Sequence, residues 1–386
     1  VLELGMSHRG EIERLAKLCE PEVGVVTLVA PVHLEFFASL DEIALAKREL
    51  IENLAGETKE DSGSDEGRRT EVRLEKAALT RRTPHGLAVA VLNADDPRVM
   101  QFAEGFRGRV LTFGFSEDAD FRAENIEDRG TEGSTFDFVT RAERAAKGGE
   151  ILRPPRRTQD DKTKHAGLKP GGTRERAGPS APLGTSKSAC ATRLELPLAG
   201  RHNVMNALAA LAAASVWGVG AEEAKRVFPT LAPAAMRGQV LKFQDGFTVI
   251  NDCYNSNPVA LASMVGLLAS TSGYRRRILA AGEMLELGQE SPRLHREVGH
   301  LAASVGLDWI FGVQGMAEEL VIGAEEAGQA PTRTRFFDTP DEAATFLCEF
   351  IEPGDLLLVK GSRGVKMERI VEALCAKYEL AMTGRD

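Results

Sequence analysis

The sequence predicts an α/β protein with largely parallel, doubly wound sheets. Three observations carry this. Short apolar runs of strand length alternate with helix-length segments through most of the 386 residues. Most strands of the second series, from VLKF to DLLLVKG, are followed by helical segments. The alternation also restarts near Arg237, which predicts two units, 1–234 and 235–386.

Taken in order, the candidate strands of the first unit are Val1–Leu4, Val23–Val29, Leu87–Leu92, Val110–Phe113, Phe121–Ile126, Thr135–Val139 and Arg193–Leu198. An Ala- and Leu-rich segment, Asn203–Trp217, predicts a helix. The second unit offers VLKF, TVIND, RRILAAG, WIFGV, RTRFFD and DLLLVKG as strands, most followed by helical segments. Two stretches break this texture. Residues 55–82 are charged, and 141–190 carry 12 Lys and Arg against 5 Asp and Glu, so both predict insertions, the second disordered or loosely held. A basic insert could touch an acidic partner, although a solvated loop is the more common reading.

Composition narrows the function classes. At a net charge of −9, a nucleic-acid footprint is not expected. Five scattered cysteines without a C-x-x-C pair point to a reducing cytoplasm and away from a disulfide framework or structural zinc. No apolar run reaches the length of a membrane span, and no signal peptide is visible. The opening VLELGM reads as a strand without an initiator Met, so the chain is expected to be cut from a longer protein.

Ligands of α/β sheets gather at the carboxyl ends of strands, so polar residues there weigh more. Glu3, in LELGM, is either a solvent-facing edge residue or a metal ligand. His33 follows an apolar strand, where a lone histidine is more often structural. In SLDEIALAKRELIENL, Ser39 and Glu42 suggest a capping box, and Ile43, Ala46, Leu50 and Leu54 form one apolar stripe. Lys47 falls inside that stripe, while Arg48, Glu49, Glu52 and Asn53 take the opposite side. Lysines often lay their stems over apolar surface and lift the ammonium into water. His202, Asn203 and Asn206 open the Ala-rich helix, where His202 or Asn203 could cap and Asn206 suits an edge-on contact to a heteroaromatic ring. Asp252, Tyr254, Asn255 and Asn257 follow the TVIND strand. Such residues suit a turn, and an acidic residue there also suits a ribose hydroxyl. No G-x-x-x-x-G-K-[ST] phosphate loop occurs, and GPSAPLGTSK has the wrong spacing.

Together, ELGMSHRGEI, the His33 loop, AKRELI, LNADDP, GRHNVMNALAA, NDCYNSNP, GEMLELG and LVKGSRG occur in the order found in the Mur ligases. They most resemble the type adding D-alanyl-D-alanine to UDP-N-acetylmuramoyl-tripeptide. The D-N-P-R string of ligases that add a diaminoacid is absent. The resemblance implies a partial central P-loop-type ATPase domain with a parallel or mixed sheet, followed by a Rossmann-like ligase domain. It also implies a uridine-nucleotide domain and P-loop upstream of Val1, without which the chain would bind ATP weakly and turn over nothing. ATP and Mg²⁺ are the implied cofactors, UDP-N-acetylmuramoyl-tripeptide and D-Ala-D-Ala the implied partners, and a cytoplasmic monomer the implied form. Lys47 would be carbamylated by CO₂ and, with Glu3 and His33, would hold Mg²⁺. His202, Asn203 and Asn206 would lie along adenine, Arg237 near the phosphates and Asp252 on the ribose, with Tyr254 and Asn255 at the same mouth. Glu286, His295, Lys360, Ser362 and Arg363 would serve the acceptor side. The alternatives are a sister ligase, a folylpolyglutamate synthetase-like ligase or a non-catalytic remnant.

Overall fold

The computed structural model describes residues 1–55, 86–141, 143 and 191–381. The two expected insertions therefore fall almost wholly outside the described residues. The architecture is α/β, with two six-stranded sheets.

In the first sheet, β1 (Val23–Val26), β2 (Val89–Asn93), β3 (Arg109–Gly114) and β4 (Phe121–Asp128) run parallel. β5 (Ser134–Thr140) and β6 (Thr192–Leu196) continue it antiparallel, in simple chain order. All five residues of β2 are buried, as expected where both faces are covered. One face carries α1 (Glu11–Cys19) and α2 (Leu40–Glu52), next to the short α3 (Pro97–Met100). The other face carries α4 (Arg201–Ser215) and α5 (Ala221–Val227). Alanines on α4 let its axis lie close over β3 and β4.

The second sheet is built from β7 (Gln239–Lys242), β8 (Thr248–Asp252), β9 (Arg276–Gly282), β10 (Trp309–Val313), β11 (Thr334–Phe337) and β12 (Asp355–Lys360), in the order β11-β10-β9-β12-β8-β7. Only β7 is antiparallel to its neighbour. Its helices are α6 (Pro258–Ser270), α7 (Ser291–Ser304), α8 (Ala317–Glu326), α9 (Pro340–Phe350) and α10 (Glu368–Lys377). β12 is buried along its whole length, including Asp355 at 0 % exposure. That carboxylate survives because Arg276 grips it with Nε at 2.7 Å and Nη2 at 2.5 Å.

Four sequence expectations are corrected here. Val1–Leu4 is not a strand: residues 1–6 carry no ladder hydrogen bonds among the described residues, and an apolar string without a pairing partner does not make one. The strand expected over Val23–Val29 stops at Val26, because side chains take its next backbone groups. Asn93 Nδ2 donates to Thr27 O, Lys47 Nζ to Leu28 O, and Val29 N–H to Asp96 Oδ2. Glu49, expected on the solvent side of α2, is 7 % exposed. Its carboxylate accepts the N–H groups of Gly10 and Glu13, capping α1 from another helix. Ser39 does cap α2, accepting from Glu42 N, but the Glu42 carboxylate reaches back to Ala38 N and not to Ser39 N.

Candidate functional site

The carboxyl ends of β8 and β12 lie side by side, with Asp252 in register with Lys360. Register therefore sets their contact. Lys360, only 3 % exposed, places Nζ 2.6 Å from Asp252 Oδ2 and 2.7 Å from Asn255 O. A buried ammonium persists only when paired in this way. The turn that follows is held by Asn257, whose side chain caps α6 by accepting from Ala260 N. Ser362, after β12, donates to Ser256 O and accepts from Leu285 N, so it braces two loops.

The start of α4 faces this cluster from the first sheet. Its N-cap is Gly200, at φ 93°, rather than His202 or Asn203. A Cβ there would lie 2.7 Å from the His202 ring, so glycine lets the imidazole fold back over the helix start. His202 is close enough to feel both Asp252 and Lys360. Burial lowers its pKa most, Asp252 raises it and Lys360 lowers it again. Asn203 donates to Ala199 O, fixing the approach to the helix. Asn206 is exposed one turn further on. A third group gathers around Met236. The Arg237 guanidinium stacks 3.9 Å over the Tyr254 ring, Tyr254 N–H donates to Met236 O, and Arg363 contacts Met236 Sδ and Glu368. His202, Asp252, Asn255 and Lys360 thus converge, with Arg237, Tyr254 and Arg363 grouped at the Tyr254 turn.

A second contact between the halves joins His33 to Glu286 through His33 Nδ1 and Glu286 Oε2. Both residues have left-handed backbones, φ 57° and 64°, and Glu35 N–H donates to Glu286 O. Non-glycine residues hold that conformation only when their surroundings impose it. Glu286 borders a groove of about 380 Å³ lined also by Glu35, Glu283, Leu285, Gln289 and Met316.

His295 is corrected. It was expected on the acceptor side, yet it is 0 % exposed, accepts Met284 N–H at Nε2 and donates from Nδ1 to Ser291 O. Both ring nitrogens are committed, and burial pushes its pKa down. It is an internal brace of the groove wall.

Lys47 is half-buried, with Nζ 2.6 Å from Leu28 O. Burial lowers its pKa, and the Asp96 carboxylate pulls it partly back. Mg²⁺ asks for a shell of oxygens. Glu3 is exposed, His33 is engaged by Glu286, and Lys47 without a carbamate offers no oxygen. Among the described residues no three His, Cys, Asp or Glu side chains converge on one point. Sequence reading missed Glu49, Asp96 and Asn93, which organise the turns around Lys47. Asp96 and Asn93 lie within LNADDP at the end of β2, the strand-end position that could have flagged them.

The fold is thus α/β, with a cluster of polar and charged side chains where the start of α4 meets the carboxyl ends of β8 and β12. The model of the Mur ligase middle domain matches residues 1–59, and that of the Mur ligase, glutamate ligase domain matches 236–363. Residues 1–59 and 236–363 are thus similar to two successive domains of the Mur ligases. The chain is 26% identical over 374 residues to the UDP-N-acetylmuramoyl-tripeptide--D-alanyl-D-alanine ligase of Bacillus subtilis (97% of this chain, 64% of that one). It is 27% identical over 384 residues to the ligase of the same name from Escherichia coli, with the same coverage. The chain thus spans just under two thirds of these relatives. Among solved structures, MurF from Acinetobacter baumannii shares the fold at a TM-score of 0.70 and 23% identity, covering 98% of this chain and 64% of that one. MurF from Thermotoga maritima in complex with ADP does so at 0.68 and 21%, covering 98% and 67%.

Proposed function

We propose that this chain forms the nucleotide-binding and acceptor-side part of an ATP-dependent ligase of peptidoglycan precursor synthesis. It would join D-Ala-D-Ala to UDP-N-acetylmuramoyl-tripeptide. The observation that carries this is the cleft where the α4 start meets the ends of β8 and β12, joining His202 to the Asp252–Lys360 pair. The names of the relatives supply the substrates.

The γ-phosphoryl group of ATP would pass to the tripeptide carboxylate with release of ADP, and the dipeptide amine would then attack that acyl carbonyl, losing a proton and expelling phosphate. The protein's part is orientation and charge. Asp252 accepts from a ribose hydroxyl, fixed in direction by Lys360. Asn206 offers an amide to the edge of the base. Arg237, braced on Tyr254, and Arg363 present guanidinium groups where negative charge builds on phosphoryl oxygens. Lys360 also holds the Asn255 carbonyl, so the loop bearing Tyr254 keeps its shape. Lys47 lies apart on α2, and its lowered pKa favours the neutral amine that CO₂ carbamylation requires. Mg²⁺ would come with the nucleotide, and no step here depends on a preformed protein cage.

Isothermal calorimetry with ADP on the 386-residue chain tests the reading. Binding that is lost in Asp252→Ala, with D-Ala-D-Ala but not L-Ala-L-Ala binding detected by saturation-transfer NMR, supports it. A folded chain that takes up neither ATP nor ADP overturns it.

A further inference from the structure

Besides the cleft, the two sheets meet at a third place, and the turn Asp128–Gly133 between β4 and β5 makes that contact. β4 carries a bulge between Glu124 and Glu127, with Asn125 at φ 47°, and such a bulge re-aims the end of a hairpin. The re-aimed turn lies against the second half of the chain. Gly130 is buried there at φ 60°, and a Cβ on it would stand 2.7 Å from Thr271 Cγ2. Glu132 Oε1 lies 2.6 Å from Lys242 Nζ. Ser270 Oγ donates to Asp128 Oδ2 at 3.4 Å, and Thr131 Oγ1 lies 3.4 Å from Tyr274 Oη. Tyr274 Oη in turn donates to Thr248 Oγ1.

These partners share a position in the topology. Ser270 and Thr271 close α6, the helix whose first turn is capped by Asn257 beside the cleft. Thr248 opens β8, the strand that ends at Asp252, and Lys242 is paired with Thr248 across the β7–β8 ladder. The turn therefore grips the far ends of the two elements whose near ends bear the cleft loop, about 20 Å away along the 13 residues of α6. On its own side, Gly133 packs against Leu196 O at the end of β6, five residues before the first turn of α4. The contact thus bears on both halves of the cleft at once.

We propose that the Asp128–Gly133 turn is a positioning element: its seating on Thr271 and Lys242 sets the spacing between His202, Asn203 and Asn206 on α4 and Asp252 and Lys360 on the second sheet. This rests on the nucleotide reading of the cleft. None of these turn residues belongs to the cleft cluster. They act through rigid-body placement of α6 and β8, and an error of an ångström there is transmitted to the cleft because packed elements move as units.

The test pairs Gly130→Ala with Gly130→Ala/Thr271→Ser. The first drives a methyl into Thr271 Cγ2. The second removes that methyl from residue 271 and keeps a hydroxyl able to donate to Leu267 O. Titration with the fluorescent analogue TNP-ATP should show affinity falling about tenfold in the single variant and recovering in part in the double variant, where the φ 60° strain of an alanine at 130 remains. Small-angle scattering should show a larger radius of gyration in the single variant and the parental value in the double. Wild-type affinity and radius in Gly130→Ala overturn the proposal, as does a double variant no better than the single. Should Gly130→Ala fail to fold, the exposed charge reversal Glu132→Lys takes its place, with Glu132→Lys/Lys242→Glu as its rescue. Each pair is read the same way. If the wild-type chain binds no TNP-ATP, the nucleotide reading fails and scattering alone decides the seat.

Discussion

Replacing Glu49 by alanine tests how the structure joins the Lys47 helix to the segment that carries Glu3. The N-cap of α1 is Gly10, which has no side chain to cap the helix, and Glu49 supplies the missing acceptor from 39 residues away. Two N–H groups lose their partner in the variant, those of Gly10 and Glu13, at 2.9–3.1 Å. A hydrogen bond to a charged group contributes roughly 1.5–3 kcal/mol and the helix-end charge about 0.3–1 kcal/mol more. Gly10 is exposed, so water replaces part of the loss. The expected cost is about 2 kcal/mol for Glu49→Ala and about 1 kcal/mol for Glu49→Gln, which keeps one oxygen. Urea unfolding followed by far-ultraviolet circular dichroism measures both. A Glu49→Ala chain unfolding at the parental midpoint would refute the argument that this carboxylate is a cap.

Other outcomes follow from the same geometry. Asp355→Ala strands the Arg276 guanidinium, 17% exposed, in the second core and should cost about 3–5 kcal/mol by denaturant titration. His202 and His295 both have pKa values held below the ordinary value of 6.5 by burial, so the folded chain binds fewer protons than the unfolded one as pH falls past that value. Stability from these groups is complete above about pH 6.5 and is lost as pH drops toward the folded pKa values. Melting temperature should therefore fall on acidification through that window, and less so in His295→Gln, whose neutral side chain can still accept Met284 N–H. Lys360→Met should abolish ADP binding in calorimetry, because Asp252 and the Asn255 loop both lose their anchor.

Much of the frame was legible from local pattern. The β8 and β12 runs read as strands because short apolar stretches alternate with helix-length segments, and the stripe through Ile43, Ala46 and Leu50 put Lys47 toward the interior. The cleft cluster was half legible. Asp252 stood out as an acidic strand end, but its lysine partner lies 108 residues on and is chosen by the register of β8 against β12. His295 misled because a histidine near GEMLELG looks like a ligand residue, whereas its role is set by the Met284 N–H and Ser291 carbonyl that close around it.

By itself the sequence determined the periodicities: which stretches are strands or helices, which faces are apolar, and which polar residues stand at strand ends. Tertiary structure alone decided partners. Glu49 became a buried cap, His33 met Glu286 across 253 residues, and β1 stopped at Val26 because three side chains claimed its next backbone groups. The physical reason is range. Periodicity arises from neighbours within a turn or two and is written in order along the chain. The identity of a hydrogen-bond partner depends on which distant groups the packed sheets bring within about 3 Å.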